Sequence, residues 1–438
     1  MQSNSFQSNT KLIGTLTLPN TPVVVNTDAF YSCKNLTSVT IPQNVKQIDS
    51  GAFDSCTGLN KLIISNGIKT INGFSNCRGL NSLVIPNSVT EIGGGAFSGC
   101  TGFTGSLAIP SGVTKIGSSA FEGCSGFRGN LVIPDSVTEI GGGAFSGCSG
   151  FRGDLVIPNS VEWMWGSTFS GCSGFNGNLV ISNSLTTIGH NEFSGCSGFR
   201  GDLVIPSNIT WIGMSAFARC SGFKNLIIPD SVTKIYSNAF EGCSGFTGNL
   251  VIPNSVTSIG SNAFEGCSGF TGDLVIPNNL RTIQSQTFSG CSGFNGDLII
   301  PDNVTSISYH AFEGCNGFRG NLILSNNLTT TGINTFMNCS GFSGSLVIPN
   351  NIKTIDYMSF YKCSGFTGNL IIPNNVTTIQ AYAFYECSGI SGDLVIPDSV
   401  TKIYSNAFIG CNFDSVSISS NTTVESQAFN EGITITYR

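Results

Sequence analysis

The chain has 438 residues, of which 40% are hydrophobic and only 10% are charged, a composition that excludes an intrinsically disordered protein. A net charge of −6 with only 19 Lys and Arg residues excludes the dense phosphate contacts on which nucleic-acid binding depends. No apolar stretch approaches the roughly 20 residues that a membrane helix needs, which excludes membrane insertion.

The first element in chain order is an irregular one. Residues 1–31 contain GTLTLPNTPVVVNTDAF, which matches the units that follow only in part. Because a stack of repeats must close its open ends, we predict that residues 1–31 form an N-terminal cap with an atypical first repeat.

Residues 32–412 are predicted to be tandem repeats of 23–24 residues. All seventeen cysteines fall in one register, with a step that is usually 24 residues, sometimes 23 and once 21. A Phe stands three residues before each of them. Such a period predicts a solenoid in which equivalent residues stack into internal columns. In the central repeats this predicted structural ladder consists of Phe121, Cys124, Phe145, Cys148, Phe169 and Cys172.

One typical unit, residues 250–273, reads LVIPNSVTSIGSNAFEGCSGFTGD. Its alternation predicts a short strand with Leu250 and Ile252 facing inward and Val251 facing outward, ended by Pro253. The SNAFEGC segment has the Ser/Asn start and the Ala-Phe content that favour one helical or 3₁₀ turn. The glycine-rich SGFTGD segment predicts the loop that returns the chain to the next strand. The strands of successive units are expected to form one parallel sheet. Residues 413–438, which follow a shortened last unit, are predicted to be a C-terminal cap.

The cysteines allow three interpretations. Zinc sites need clustered ligands, whereas no two cysteines lie closer than 21 residues, so no metal site is predicted. Equivalent residues of stacked coils lie about 5 Å apart, which leaves disulfide pairing open. A buried column of free thiols is the favoured interpretation, because cysteine is a good small core residue.

Nothing in the sequence indicates catalysis. The two histidines, His190 and His310, lie five repeats apart, so they cannot form one catalytic site. The recurring glutamates are explained better by favourable electrostatics at the start of a turn than by paired acid/base catalysis. We therefore predict no enzyme activity, no catalytic residues and no cofactor.

The middle residue of each predicted strand is aliphatic although it should face solvent. A row of exposed aliphatic side chains is typical of a binding surface, although β-branched residues in a strand are also explained by propensity alone. The predicted binding residues of this column are Val132, Val156, Val180, Val204, Ile227, Val251 and Val275.

The three tryptophans form a second candidate patch. Trp163 and Trp211 occupy equivalent positions two repeats apart, and Trp165 stands beside the first. Exposed tryptophan is a frequent interface anchor, while local packing of the irregular EWMWG segment explains these residues equally well.

The recurring pattern LxIPxSVTxIGxxAFxGCxxF resembles the BspA-like class of leucine-rich repeats over nearly the whole chain. The resemblance implies an α/β repeat solenoid, with one parallel β-sheet on the concave side and short helical or 3₁₀ turns on the convex side. It also implies a role in adhesion at a cell surface or outside the cell. The N-terminus lacks the features of a secretory signal, and no anchor pattern is present, so a cytoplasmic location also stays open.

Two functions follow from these observations. The first is a protein-interaction or adhesion scaffold that presents its concave surface to a protein or glycan partner. The alternative is a structural subunit that assembles with copies of itself into a filament or surface layer. The first predicts a stable monomer with a foreign ligand, and the second predicts ordered oligomers of the purified chain alone.

Overall fold

A computed structural model describes all residues from 1 to 438. The chain divides into two compact units. The first unit comprises residues 1–209 and 216–223, and the second comprises residues 210–215 and 224–438. Each unit is a stack of coils in which every coil corresponds to one sequence repeat.

Most coils contribute a short strand to each of two rows of parallel strands. The first strand row contains the predicted Leu-x-Ile strands, and its members are Gly14–Thr17, Leu36–Ile41, Lys61–Ile64, Leu155–Val156, Leu179–Val180, Leu203–Val204, Leu226–Ile227, Leu250–Val251, Leu274–Val275, Leu298–Ile299, Leu322–Ile323, Ser391–Val395, Asn412–Ile418 and Thr434–Tyr437. Neighbouring coils pair in parallel with equivalent residues opposite each other, as Leu250 pairs with Leu274.

The second strand row lies later in each coil and was not foreseen from the sequence. Its members are Val24–Val25, Gln47–Ile48, Thr70–Ile71, Glu91–Ile92, Lys115–Ile116, Glu139–Ile140, Trp163–Met164, Thr187–Ile188, Trp211–Ile212, Lys234–Ile235, Ser258–Ile259, Thr282–Ile283, Ser306–Ile307, Thr354–Ile355, Thr378–Ile379, Lys402–Ile403 and Thr423–Val424. The expected single sheet is therefore replaced by two rows, each divided into small parallel sheets of two to five strands.

The prediction of a helical or 3₁₀ turn is wrong, because the structure contains no helix. In the Ser-Asn-Ala-Phe segment, backbone N–H groups bond alternately within their own coil and to the next coil. Cys267 N donates to Phe264 O at 3.1 Å, whereas Phe264 N donates to Thr287 O in the next coil at 2.9 Å. Asn262 and Gly266 also adopt left-handed φ values of 60° and 68°, which interrupt the right-handed run that a helix needs. Hydrogen bonds between stacked coils thus use backbone N–H groups that a helix would need for its own hydrogen bonds.

The core of each unit consists of stacked columns of like residues. The Phe residues before the cysteines lie nearly parallel from coil to coil. The rings of Phe121 and Phe145 are 5.5 Å apart, and those of Phe145 and Phe169 are 5.4 Å apart. A second column, which includes Phe127, meets the first edge-on, with 6.1 Å between the Phe121 and Phe127 centroids. Offset stacking and edge contacts are the arrangements that the aromatic quadrupole favours.

Residues 1–31 and 413–438 continue the same columns. Phe6 stacks on Phe30 at 5.1 Å, and Phe429 stacks on Phe408 at 5.1 Å, although no cysteine follows Phe429. Whether these two segments act as caps stays a prediction.

Candidate functional site

The outward side chains of the first strand row form what we term the aliphatic column. In one coil, Leu250 and Ile252 are 1% and 2% exposed, whereas Val251 between them is 53% exposed. This alternation is the two-residue period of a β-strand, with one face on the core and the other in solvent. The sequence therefore located the inward and outward residues of these strands correctly.

Every predicted binding residue of the aliphatic column lies on the surface. In the first unit the exposed members are Val84, Ala108, Val132, Val156, Val180 and Val204. In the second unit they are Ile227, Val251, Val275, Ile299, Ile323, Val347, Ile371 and Val395. Where neighbouring strands pair in register, as Val156 with Val180 and Val251 with Val275, their outward residues lie about 4.8 Å apart, so aliphatic side chains follow one another on the surface of each unit.

Asparagine and aspartate side chains flank the aliphatic column on both sides. In most coils they lie two residues before and three residues after the aliphatic residue, as Asp297 and Asp302 do around Ile299, and serine replaces them in the others. Their Oδ1 atoms accept backbone N–H groups of the next coil, with 2.6 Å from Asp297 to Asn321 N and 3.0 Å from Asp302 to Asn326 N. Asparagine makes the same bond elsewhere, so the fold requires the oxygen and not the negative charge.

The predicted structural ladder lies in the core of the first unit. Phe121, Phe145 and Phe169, like the cysteines that follow them, are fully buried. Each thiol donates to the carbonyl of a Phe one coil earlier, as Cys172 Sγ does to Phe145 O at 3.0 Å. The same carbonyl also accepts Cys148 N at 3.0 Å. The thiols thus connect neighbouring coils by hydrogen bonds. The two other thiols donate in the same way, Cys124 to Phe97 O and Cys148 to Phe121 O.

All seventeen cysteines are free and buried. Burial raises the pKa of Cys172 to about 12, and the hydrogen bond from the Cys148 backbone offsets only part of that rise. Burial, together with the neighbouring thiols, likewise raises the pKa of Cys148 well above its usual value. Since the thiolate is the reactive form, these thiols are poor nucleophiles in the folded chain.

The tryptophans differ in their surroundings. Trp163 and Trp165, in the first unit, are 61% and 66% exposed. Trp163 lies in the second strand row beside Glu139. Trp211 belongs to the second unit, where it is half-buried and meets the Tyr236 ring edge-on at 5.7 Å. A binding role for these three residues stays a prediction.

No group of three His, Cys, Asp or Glu side chains is arranged to hold a metal ion. His310 Nδ1 lies 2.6 Å from Glu313 Oε2, and its Nε2 lies 3.2 Å from the Asn334 amide. The structure contains no helix with the length and apolar character that crossing a membrane requires.

Two groups of residues escaped the sequence analysis. Glu192 is fully buried in the first unit, at a position where Ala120, Ala144 and Ala216 stand in other coils. A cluster of tyrosines lies on the turns of the second unit, in coils whose sequences read YMSFYKC and AYAFYEC. Both groups are departures from the repeat, and a comparison of every unit with its neighbours, position by position, reveals them.

Buried Glu192 is unusual in its environment as well as its position. Neither carboxylate oxygen has a partner in good hydrogen-bond geometry, and the same holds for the Thr168 hydroxyl. Burial raises the pKa of Glu192 to about 7, and the nearby Thr168 hydroxyl and the amides of Thr168 and Gly166 offset only part of the rise. An enclosed carboxyl without well-placed partners is more stable in its neutral form.

The chain matches the family described as BspA type leucine-rich repeat region in six overlapping copies, at residues 1–128, 72–199, 128–247, 200–319, 246–367 and 366–436. Leucine-rich repeat families of this type are typically scaffolds, and the match indicates no catalytic family. No curated protein sequence matches the chain.

Several solved structures are similar to this chain. A leucine-rich repeat protein from Bacteroides ovatus is 24% identical, with a TM-score of 0.53, over 97% of this chain and 92% of that one. A leucine-rich repeat protein from T. pallidum is 28% identical, with a TM-score of 0.28, over 38% of this chain and 68% of that one. The first of these shows that the fold is shared. Together with the six family matches, which span nearly all residues, it establishes that this chain belongs to the BspA-type leucine-rich repeat family.

Proposed function

We propose that this chain is a non-enzymatic scaffold that binds a protein partner along the aliphatic column. The observation that carries the proposal is the exposure of the column, from 45% at Val275 to 75% at Val84. Aliphatic surface in water costs free energy that a partner recovers by covering it, at about 25 cal/mol per Å². Membership of a repeat scaffold family supports a binding role without identifying the partner.

The charges beside the column favour a different protein over a second copy of this chain. In the second unit, Asp273, Asp297 and Asp302 are all exposed beside Val275 and Ile299. If two such surfaces packed face to face, these carboxylates would approach their counterparts, and unpaired like charges in an interface are unfavourable. A foreign partner with aliphatic groups between polar or basic ones avoids that repulsion. Assembly of this chain into a filament or layer remains the competing function.

The test compares two matched double variants in the second unit. Val251→Lys with Val275→Lys places two charges in the aliphatic column. Ser258→Lys with Thr282→Lys places the same charges in the second strand row of the same two coils. Each purified protein is cross-linked to an extract of its source cells, and cross-linked proteins are quantified by mass spectrometry and then assayed in purified form.

We expect at least one purified protein to bind the unmodified chain and the second-row variant with equal affinity. Its affinity for the column variant should be lower by roughly tenfold or more. Indistinguishable binding by the two variants would refute a role of the column. Sedimentation tests the competing function, because ordered oligomers of the unmodified chain that the column variant cannot form would show self-assembly instead.

A further inference from the structure

Two coils of the second unit depart from the repeat on the surface formed by their turns. The residue before the cysteine is glycine in most coils, with left-handed φ values such as 72° at Gly314 and 84° at Gly410. Between these two glycines the same position holds Asn338, Lys362 and Glu386, at φ values of 62°, 57° and 55°. Side chains other than glycine are disfavoured in this conformation, and such backbone strain is concentrated at functional sites. Lys362 and Glu386 differ from the other non-glycine residues at this position in placing opposite charges on adjacent coils.

The same two coils carry four tyrosines that touch one another on the surface, which we term the tyrosine cluster. The rings of Tyr361 and Tyr385 stack at 5.0 Å with 6° between their planes. Tyr382 lies 5.4 Å from Tyr385 and 6.1 Å from Tyr357, measured between centroids. None of the four rings is buried. Tyrosine supplies a broad contact area with little loss of side-chain freedom, which suits a preformed binding surface.

A groove of about 770 Å³ is lined by Lys362 and Glu386, the neighbours of Tyr361 and Tyr385 in the sequence, and none of the four tyrosines lines it. Its walls hold the amides of Asn316 and Asn338, three serine hydroxyls, and the side chains of Lys362 and Glu386. Lys362 Nζ lies 3.5 Å from Glu386 Oε2 and 5.4 Å from the centroid of the Tyr361 ring. The ion pair therefore joins the groove to the cluster, and the groove has a volume within the ~300–1,000 Å³ of typical ligand sites.

We propose that the groove and the tyrosine cluster form a binding site for a neutral oligosaccharide. A pyranose ring presents hydroxyl groups at its edge and C–H groups on its face. The serine hydroxyls and the amides of Asn316 and Asn338 can both donate to and accept from sugar hydroxyls. Tyr361 and Tyr385 cover one face of each other, so the sugar C–H groups would pack on the aromatic faces of the cluster that stay exposed.

The charges at the site argue against an ionic ligand. Lys362 and Glu386 form an ion pair, so together they add no net charge that would attract a carboxylate or an ammonium group. An aliphatic peptide is also less well suited, because no aliphatic side chain lines the groove. This site lies on the turns and not on the first strand row, so it is independent of the proposed function.

The experiment measures binding of four linear hexasaccharides, built of glucose, galactose, mannose or N-acetylglucosamine, by saturation-transfer NMR with the full chain. The test variant combines Tyr361→Ala with Tyr385→Ala. The matched control is Tyr309→Ala, because Tyr309 occupies the position of Tyr357 two coils earlier and is exposed outside the cluster. Hydrogen exchange of the coils on either side verifies that each variant is folded.

We expect at least one hexasaccharide to bind at millimolar concentration, with affinity lowered roughly tenfold or more in the test variant and unchanged in the control. The affinity should not depend on salt, because the ligand is neutral. Absence of binding by all four hexasaccharides, or equal binding by the two variants, overturns the proposal. Loss of a protein partner from the test variant, without any oligosaccharide effect, reassigns the cluster to a protein interface.

Discussion

Replacement of Glu192 by Gln is expected to remove a pH dependence of stability from the coils around it. The folded chain raises the pKa of this carboxyl from 4.5 to about 7, and the largest cause is burial. Because the folded state holds the proton more tightly than the unfolded chain, protonation stabilises the fold. The contribution is complete below pH 4.5 and is lost as the pH rises through about 7.

The expected size of this effect follows from the shift in pKa. At about 1.4 kcal/mol per pH unit, the change from 4.5 to about 7 corresponds to about 3 kcal/mol. Most of this free energy is lost between pH 5 and pH 8. The glutamine side chain of the variant cannot ionise, so its coils should show no such loss.

Hydrogen exchange read by mass spectrometry is the appropriate assay, because stability in a repeat protein is a local quantity. Peptides covering residues 162–197 are followed at pH 5 and pH 8 in the unmodified chain and in Glu192→Gln. Comparison at equal pH cancels the intrinsic pH dependence of exchange. At pH 8 the unmodified chain should exchange on the order of a hundredfold faster in these peptides, and at pH 5 much of the difference should disappear.

A global unfolding curve would be harder to interpret. Asp54 is half-buried, and burial raises its pKa to about 6 despite the hydrogen bond from Ser75 N at 2.8 Å. Peptides of the second unit serve as the internal control. Equal pH dependence in the unmodified chain and in Glu192→Gln would show that Glu192 stays ionised in the fold, and the reasoning from burial would fail.

Three further predictions concern the columns. The seventeen thiols should resist alkylation in the folded chain and all react after denaturation, as read by intact mass, because burial raises pKa values such as that of Cys172 to about 12; rapid alkylation without unfolding would contradict this. Phe145→Ala should destabilise its coil by about 3–5 kcal/mol, because it removes a fully buried ring stacked on both sides; the measurement is local hydrogen exchange, and a cost under about 1 kcal/mol would refute it. Asp297→Asn should change stability by less than about 0.5 kcal/mol, whereas Asp297→Ala should cost about 1 kcal/mol by removing the acceptor of Asn321 N. Equal urea midpoints for these two variants would show that this hydrogen bond does not matter.

The repeat period made the core predictable. Once the cysteines and phenylalanines fall in one register, stacking alone determines that they line internal columns, and the alternation around Val251 determines which strand residues face solvent. The wrong helical turn has an equally physical cause. The segment from Asn262 to Cys267 has helical composition, but its donors are shared with the next coil, and a single repeat carries no signal of that competition.

The candidate sites were less predictable than the core. The second strand row consists of two-residue strands, too short to show a period of their own. The sequence does not show that Glu192 is a buried carboxyl. This becomes evident only when the equivalent alanines of other coils are known to be buried. Likewise, the four tyrosines are spread over residues 357–385 in the sequence, and only the stacking of adjacent coils brings them together.

The in-register pairing of coils also constrains how such a chain can vary in length. Loss of one to three residues is tolerated where it falls in a connection, because cysteines 21 or 23 residues apart keep the same register as those 24 apart. Duplication or deletion of an entire repeat leaves each remaining hydrogen bond with an equivalent partner. A gene of this kind can therefore change the length of the proposed binding surface in discrete steps, by recombination between repeats, while the core stays the same. Differences between individual repeats can then arise by substitution at single outward positions, such as those occupied by Lys362 and Tyr385.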